Sequence, residues 1–511
     1  MYYDQWHPDA SMDLIRSKGI THVILSFMLS HHLNNETFDP LWTDDEPGHK
    51  WHVSALKSLK VNCPDVQVSL AVGGWNDDPE IGWRKTIESD ASLSLFVQNL
   101  HRVLYGDFPI FENHQFDGVD IDWEYPGGNT VDYKSNPQAA DRLLCETDGY
   151  VKLLQAIHAD LSPDGKHLSI AVPGRPSDML VFEDSAKAKT IFDSVDFVNL
   201  MTYDLYNRRD NITAHHSSVE GTLATANAYL EKGLLSGKIN LGFALYAKWA
   251  HVSGICTQLG GLGCDTFALE DSQGADTLQS GSMTFEMKNT LDVPQSFSVP
   301  DGGRCGPGTG AKCSPGFCCS SKGWCGDTPE HCGYGRCNPP YSGSDSCQGP
   351  DLWKSWKAAL ADPIDDGHAG GYTYFDPTDA LFWTWDPIKY VQLKIDHIVK
   401  DKCLGGAMAW SFGEENASLP DHISALSTGI QNIDLTGCKR LTPSTNPSSI
   451  SQVDQPTGVV VNVNSGSEPL QPSPSKESPP DGGIVNLVVT LTADFTPPPV
   501  VTIVTWITQV G

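Results

Sequence analysis

In Asp117-Gly-Val-Asp120-Ile-Asp122-Trp-Glu124 acidic residues recur at every second position from Asp120 on. Side chains on a β-strand alternate between faces, so Asp120, Asp122 and Glu124 point one way and Val119, Ile121 and Trp123 the other. Three carboxyl groups on one face of a buried strand cannot all ionise in a low dielectric, and perturbed carboxylates gather where chemistry is done. A solvated edge strand with acidic decoration would carry the same charges. It fits badly, because the opposite face is apolar and the segment lies mid-way through a series of strands. A metal site would need further oxygen or histidine ligands, and the sequence marks none; neither metal nor cofactor is expected. Proton sharing is the better account. Glu124 is expected at the strand's C-terminal end, where crowding by Asp122 and partial burial raise its pKa and keep a proton ready for a leaving group. Asp122 then shares a proton with Asp120 or turns toward a substrate.

The elements that must hold this row read as repeated βα units. Strands are expected at 1–6, 21–28, 66–72, 118–123, 167–173, 195–202 and 238–245, with helices between them such as 92–105 and 148–159. An eighth strand, 404–410, comes only after a long interruption and follows a helix at 388–399. Eight strands in a βα series argue for an α/β protein of the closed (β/α)8 TIM-barrel class; a doubly wound open sheet is the alternative. The barrel would take 1–250 and 381–438. Segments 250–304 and 348–380 would pair into one α+β insertion, itself interrupted by a cysteine-dense module at 305–347. Residues 439–511 read as a tail, first rich in Ser, Thr and Pro (441–482), hence a disordered or glycosylated linker, then in Val and Thr, which suits a strand pair or an aggregation-prone end.

Among 511 residues, 34 Lys and Arg face 63 Asp and Glu, a formal charge of −29. So acidic a chain is a poor partner for nucleic acid or for a membrane surface. No stretch approaches 18 uninterrupted apolar residues, so no spanning helix is expected. Of 14 cysteines, eight lie between Cys305 and Cys347. That density suits a small module held by disulfides and an oxidising, extracellular setting. The total is even, as full pairing requires. The chain opens on Met1-Tyr-Tyr-Asp-Gln-Trp6, with no charged start or apolar run of a secretion signal, so secretion is inferred from the cysteines.

The carboxylate row resembles the Asp-x-x-Asp-x-Asp-x-Glu signature of glycoside hydrolase family 18, the chitinases. Other segments match in order. Leu70-Ala-Val-Gly-Gly-Trp75 is similar to the third-strand Ser-x-Gly-Gly motif, with Ala71 in place of the serine. Met201-Thr-Tyr-Asp204 matches the sixth-strand motif, Gly242-Phe-Ala-Leu-Tyr246-Ala-Lys248 the seventh, with Lys248 where Arg is common, and Gly405-Gly-Ala-Met-Ala-Trp410 the eighth. The resemblance spans about residues 1–425 and implies substrate-assisted hydrolysis of chitin, an exception to the two-carboxylate scheme. It makes Glu124 the acid, Asp122 and Asp120 its partners and Tyr203 a donor to the substrate's acetamide. It further implies Trp75, Asp204, Tyr246, Lys248 and Trp410 as substrate-binding residues. Chitin and N-acetylglucosamine oligosaccharides are the implied partners, and a monomer is expected. A non-catalytic lectin on the same barrel and an endo-β-N-acetylglucosaminidase acting on glycans are the alternatives.

The cysteine-dense stretch resembles a hevein-type chitin-binding module. The resemblance implies the pairs Cys305–Cys319, Cys313–Cys325, Cys318–Cys332 and Cys337–Cys347, where spacing alone leaves 105 pairings open. It also implies sugar contacts at Ser320 and Trp324. Lys322 and His331 stand at two positions that are usually aromatic, which predicts weakened binding. Asn35, Asn211 and Asn416 head N-glycosylation triplets, and the pairs His31-His32 and His215-His216 read as surface histidines.

Overall fold

The computed structural model describes residues 1–7, 12–38, 48–128, 140–345, 347–415, 421–436 and 438, with two strands further on. Chain order builds a barrel first. Strands β1 (Tyr2–Asp4), β2 (His22–Met28), β3 (Gln67–Gly73), β4 (Gly118–Asp122), β5 (His167–Val172), β6 (Phe197–Leu200) and β7 (Ile239–Ala244) pair in parallel, each with the next. The helices between them lie outside and meet the strands through one large apolar cluster that includes Val119, Ile121 and Trp123 of the carboxylate segment. Helix Asp90–Leu104 shows how the sequence specifies these covers. Ser89 caps it by accepting from the Ser92 amide at 3.1 Å, and Phe96, Leu100, Val103 and Leu104 form one buried face.

After β7 a single residue, Leu245, precedes β8 (Tyr246–His251), which leaves the barrel for a second sheet. β9 (Ser280–Thr284) follows, then the cysteine-dense module with its short ladder of β10 (Cys318–Cys319) and β11 (Cys325–Gly326). Helix Leu352–Ala361, β12 (Ile364–Asp366), β13 (Gly371–Asp376) and β14 (Leu381–Trp385) complete the insertion. Its five strands are antiparallel in the order β12-β13-β14-β8-β9 and pack on the helix through Trp249, Trp356, Trp383 and Trp385. The chain then returns through helix Ile388–Lys394, continued by wider π-turns over Ile395–Lys400, to β15 (Gly406–Trp410) beside β7. β15 meets β1 where the Trp410 and Tyr2 rings lie 5.6 Å apart and the Ser411 hydroxyl donates to Asp4. The barrel is thus nearly closed.

Three expectations need correction. The insertion begins at Tyr246 and ends at Trp385, wider than 250–380, because β7 runs into β8 with one residue between them and the apolar run hides the change of sheet. The cysteines are not all paired: six disulfides form, two of them Cys256–Cys264 and Cys403–Cys438, while Cys63 and Cys145 stay free. The histidine pairs are not surface groups, since His216 and His32 are buried and His215 holds Asp366 and Thr384 of the insertion sheet at 3.1 Å each. The sheet covers that segment. Asn35 and Asn211 are exposed; the Asn416 triplet and the Ser/Thr/Pro-rich stretch lie outside the described residues. Residues 444–511 form a separate unit, of which β16 (Asn486–Leu491) and β17 (Val501–Trp506) are an antiparallel pair.

The insertion's aromatic core makes its stability testable. Trp383 is fully buried, 5.1 Å from the Trp356 ring, with its indole N–H donating to Ser355 at 2.9 Å. Trp383→Ala is expected to cost roughly 3–5 kcal/mol in denaturant unfolding.

Candidate active site

Pairing with β3 explains how β4 can bury acids. Ala71 lies opposite Asp120 and Gly73 opposite Asp122, so the neighbouring strand offers almost no side-chain volume. Gly73 has φ +111°, and a Cβ on it would lie 2.2 Å from the Asp122 carbonyl oxygen. β4 ends at Asp122, and Glu124 stands two residues past its end, in the turn that opens the mouth of the barrel. The other face of the segment is anchored by Trp123, stacked on Trp83 at 5.4 Å and met edge-on by Tyr150. An apolar anchor on one side thus aims the acids on the other.

Each acid has a different environment. Asp120 is fully buried and accepts from Tyr2 Oη at 2.7 Å, Asn199 Nδ2 at 3.1 Å and the Ser169 hydroxyl. Burial still leaves its pKa raised, with those donors opposing the shift. Asp122 is buried, its Oδ1 has no hydrogen-bond partner, and its pKa is driven well up by burial and then by repulsion from Glu124 and Asp120. Glu124 is half-buried, with its pKa pushed up to about 7. Burial is the main cause and the Asp204 charge adds to it, while a hydrogen bond from Tyr125 and the Arg209 cation pull the other way. Asp122 and Glu124 therefore titrate as a pair that holds a proton at neutral pH.

A cavity of about 630 Å³ opens over this pair at the C-terminal end of the barrel strands. Tyr203, Trp410, Trp75, Tyr246 and Lys248 all line it, as does Asp204. Trp410 stacks on Phe27 at 5.3 Å, and beneath it Tyr2, Ala71, Met201 and Met408 form an apolar floor. Asp204 has φ +55°, a left-handed geometry that Asp tolerates better than most residues. Burial would raise its pKa, but the Lys248 ammonium at 2.7 Å and the His216 imidazole outweigh it and hold the carboxyl well below its usual range. Tyr246 Oη donates to the same carboxylate at 2.7 Å. The Arg208 and Arg209 guanidiniums lie 5.5 and 5.2 Å from the centre of the Trp75 ring. One wall belongs to the insertion, through Lys248, Trp249 and Ser280–Ser282.

Sequence reasoning passes over Tyr2, Ser169 and Asn199, which supply the donors to Asp120 among the described residues. Alternation could have found Asn199, which shares a strand face with Met201 and Tyr203 at i, i+2, i+4. Nothing local marks Tyr2, whose partner is 118 residues away. The hydroxyl missing at Ala71 has a structural counterpart: Asp120 takes its donors from β1, β5 and β6 instead.

In the cysteine-dense module the pairs are Cys305–Cys319, Cys313–Cys325, Cys318–Cys332 and Cys337–Cys347. The sulfurs of Cys305, Cys313 and Cys319 lie close together, but each is committed to a disulfide and none is a thiolate ligand. Trp324 is 45% exposed, with the Arg304 guanidinium 4.5 Å over its ring. Ser320 does not face outward as a sugar contact requires: it is buried, and its hydroxyl accepts from the Trp324 amide at 3.1 Å, so it positions the tryptophan. Lys322 is exposed, and His331 is tied to Thr328 Oγ1 at 2.8 Å.

Comparison with known proteins bears on this geometry. The family model for glycosyl hydrolases family 18 matches residues 1–415. Chitinase B of Serratia marcescens is 26% identical over 43% of this chain and 42% of its own length, and Chitotriosidase-1 of Mus musculus 27% identical over 45% and 47%. The matches thus span less than half of either relative. Among solved structures, Class V Chitinase from Nicotiana tobaccum superimposes with a TM-score of 0.54 at 14% identity, over 84% of this chain and 98% of that one. Catalytic domain 2 of the Ostrinia furnacalis Group II chitinase does so with 0.54 at 18%, over 85% and 96%. At such identities the likeness is one of fold.

The donors to Asp120 can be removed one at a time. Asn199→Leu is expected to lower unfolding free energy by about 1–3 kcal/mol, the cost of a lost partner at a buried charged group. Asp120 has a raised folded-state pKa, and losing a donor raises it further. The penalty should therefore be smaller at acid pH and grow as pH rises through the folded pKa, which urea titrations across pH will show.

Proposed function

The chain belongs to glycosyl hydrolase family 18, and from that premise we propose that it hydrolyses the β-1,4 bonds of chitin, with the substrate's own acetamide acting as nucleophile. The observation that carries this reading is a pair of unequal carboxyls on the cleft floor. One, Glu124, keeps a proton near neutrality; the other, Asp122, is buried with an acceptor oxygen that no protein group meets. A buried acceptor without a donor is costly and calls for one from the ligand. The N–H of a 2-acetamido group is such a donor, which cellulose and starch lack.

In this mechanism Glu124 protonates the glycosidic oxygen. The acetamide carbonyl oxygen attacks C1, the C1–O bond to the leaving sugar breaks, and an oxazolinium ion forms. Asp122 accepts the acetamide N–H and stabilises the positive charge on that ring. Tyr203 Oη, whose hydrogen-bond partner among the described residues is the weak acceptor Met408 Sδ at 4.0 Å, donates to the acetamide oxygen. Glu124, now ionised, takes a proton from water as that water opens the ring at C1, and the product retains its configuration. Trp410 offers its ring to the apolar face of the sugar, and Asp204, held ionised by Lys248, accepts from a sugar hydroxyl. A lectin on this scaffold would have no use for the proton on Glu124. Two solved relatives support the substrate class: the Nicotiana tobaccum enzyme was also solved as a mutant in complex with NAG4, and the Ostrinia furnacalis domain with (NAG)5.

The module at 305–347 serves, in the same reading, as a chitin binder whose platform is the exposed ring of Trp324. Six disulfides support an oxidising, extracellular setting in this reading.

Glu124→Gln should lower turnover of chitin oligosaccharides by about 10²–10⁴-fold while leaving their binding intact. The wild-type rate should fall as pH rises through about 7, because only protonated Glu124 can donate. New reducing ends should appear first as the β-anomer in proton NMR; an initial α-anomer would contradict the scheme. Trp324→Ala should reduce retention on insoluble chitin without slowing turnover of soluble oligomers.

A further inference from the structure

The cysteine-rich module does not hang from the insertion on a tether. Tyr334, between Cys332 and Cys337, stacks on the His251 imidazole with ring centres 5.5 Å apart and planes 17° apart, and its hydroxyl lies 2.5 Å from Nδ1. Gln279 Oε1 approaches the same nitrogen at 2.7 Å, and Phe267 packs on the imidazole at 4.5 Å. The next residue, Gly335, abuts Leu278 so closely that a Cβ there would come within 2.6 Å of the Leu278 carbonyl oxygen.

These contacts lie on the ladder that walls the cleft. β8 and β9 are antiparallel neighbours, with Lys248 opposite Ser282 and Ala250 opposite Ser280. Lys248, Trp249 and Ser280–Ser282 line the cavity over Glu124, whereas His251 at the end of β8 and Leu278 and Gln279 immediately before β9 carry the module. Three steps of extended chain lead from Lys248 to His251, about 10 Å. Arg208 ties the hairpin before β9 to the cleft as well, pairing with Glu270 at 2.8 Å while its guanidinium faces Trp75.

We propose that Tyr334 and His251 are a positioning pair, a latch that holds the module at one orientation to the cleft so that both engage the same polymer at an insoluble chitin surface. This rests on the reading that the cleft cleaves chitin and the module binds it. A loose module would keep the enzyme near the surface; a latched one also sets where the cleft falls on the strand it holds, and such geometry decides how much a second binding site adds.

The test uses the full chain and three measurements: turnover of soluble chitopentaose, retention on insoluble chitin, and turnover of that insoluble chitin. Tyr334→Ala should leave the first two at wild-type values and slow the third about threefold or more. His251→Ala should do the same, the double variant should add no further loss, and Tyr334→Phe, which keeps the stacked ring, should restore most of the rate. Wild-type turnover of insoluble chitin in Tyr334→Ala, alongside a slowed Trp324→Ala, would overturn the latch and leave a simple tether. Loss of soluble turnover or of retention in both Tyr334→Ala and His251→Ala would reduce the pair to a structural contact and also overturn it. The foundations fail separately: no wild-type turnover of chitopentaose refutes the proposed activity, and unchanged retention of Trp324→Ala refutes the binding module, each taking the latch with it.

Discussion

Acidic groups crowd the mouth of this barrel at positions from which water is largely withdrawn, and the surrounding structure is organised around keeping them there. Asp120 is tolerable because three strands aim donors at it: Tyr2 on β1, Ser169 on β5 and Asn199 on β6. Asp122 has no such support and relieves its burial by holding on to a proton with Glu124. Asp204 takes the opposite course, ionised beside Lys248. Three carboxyls within one small space thus reach different balances between burial and neighbouring charge, two with raised pKa and one lowered. The same physics that makes the arrangement costly makes it reactive.

The tryptophans work on the other side of that balance. Trp123 and Trp83 stack behind β4 and hold the strand so that its acidic face cannot turn outward. In the insertion, Trp249, Trp356, Trp383 and Trp385 give a small sheet a core of its own, so that one edge of it can stand as a cleft wall. The cysteine-rich module, too small to bury much apolar surface, is held by four disulfides. Each layer is stabilised by the means its size allows.

Period and composition make the barrel legible in the sequence. Seven of the eight barrel strands fall inside the segments marked by apolar runs and β3 ends one residue past its own, because a parallel strand buried on both faces favours apolar side chains on both. The carboxylate row is legible for the converse reason, since three acids in such a strand violate its own pattern. Long-range partners are not. Tyr2 and Asn199 look like ordinary strand residues until the barrel closes and brings them to Asp120. The boundary at Tyr246 is hidden because one apolar run serves two sheets in succession. His216 reads as polar and exposed, yet the insertion sheet lies over it, and its imidazole comes to sit 5.4 Å from the Tyr246 ring. Ser320 similarly looks like a surface hydroxyl until its oxygen is seen to cap the Trp324 amide.

Leu245, alone between β7 and β8, has its own amide bonded to the Trp410 carbonyl at 2.8 Å. With so short a passage from one sheet to the other, the insertion has no slack in which to swing shut over a bound polymer. A wall seated this tightly favours a trench shaped ahead of any ligand over one that a ligand must draw together.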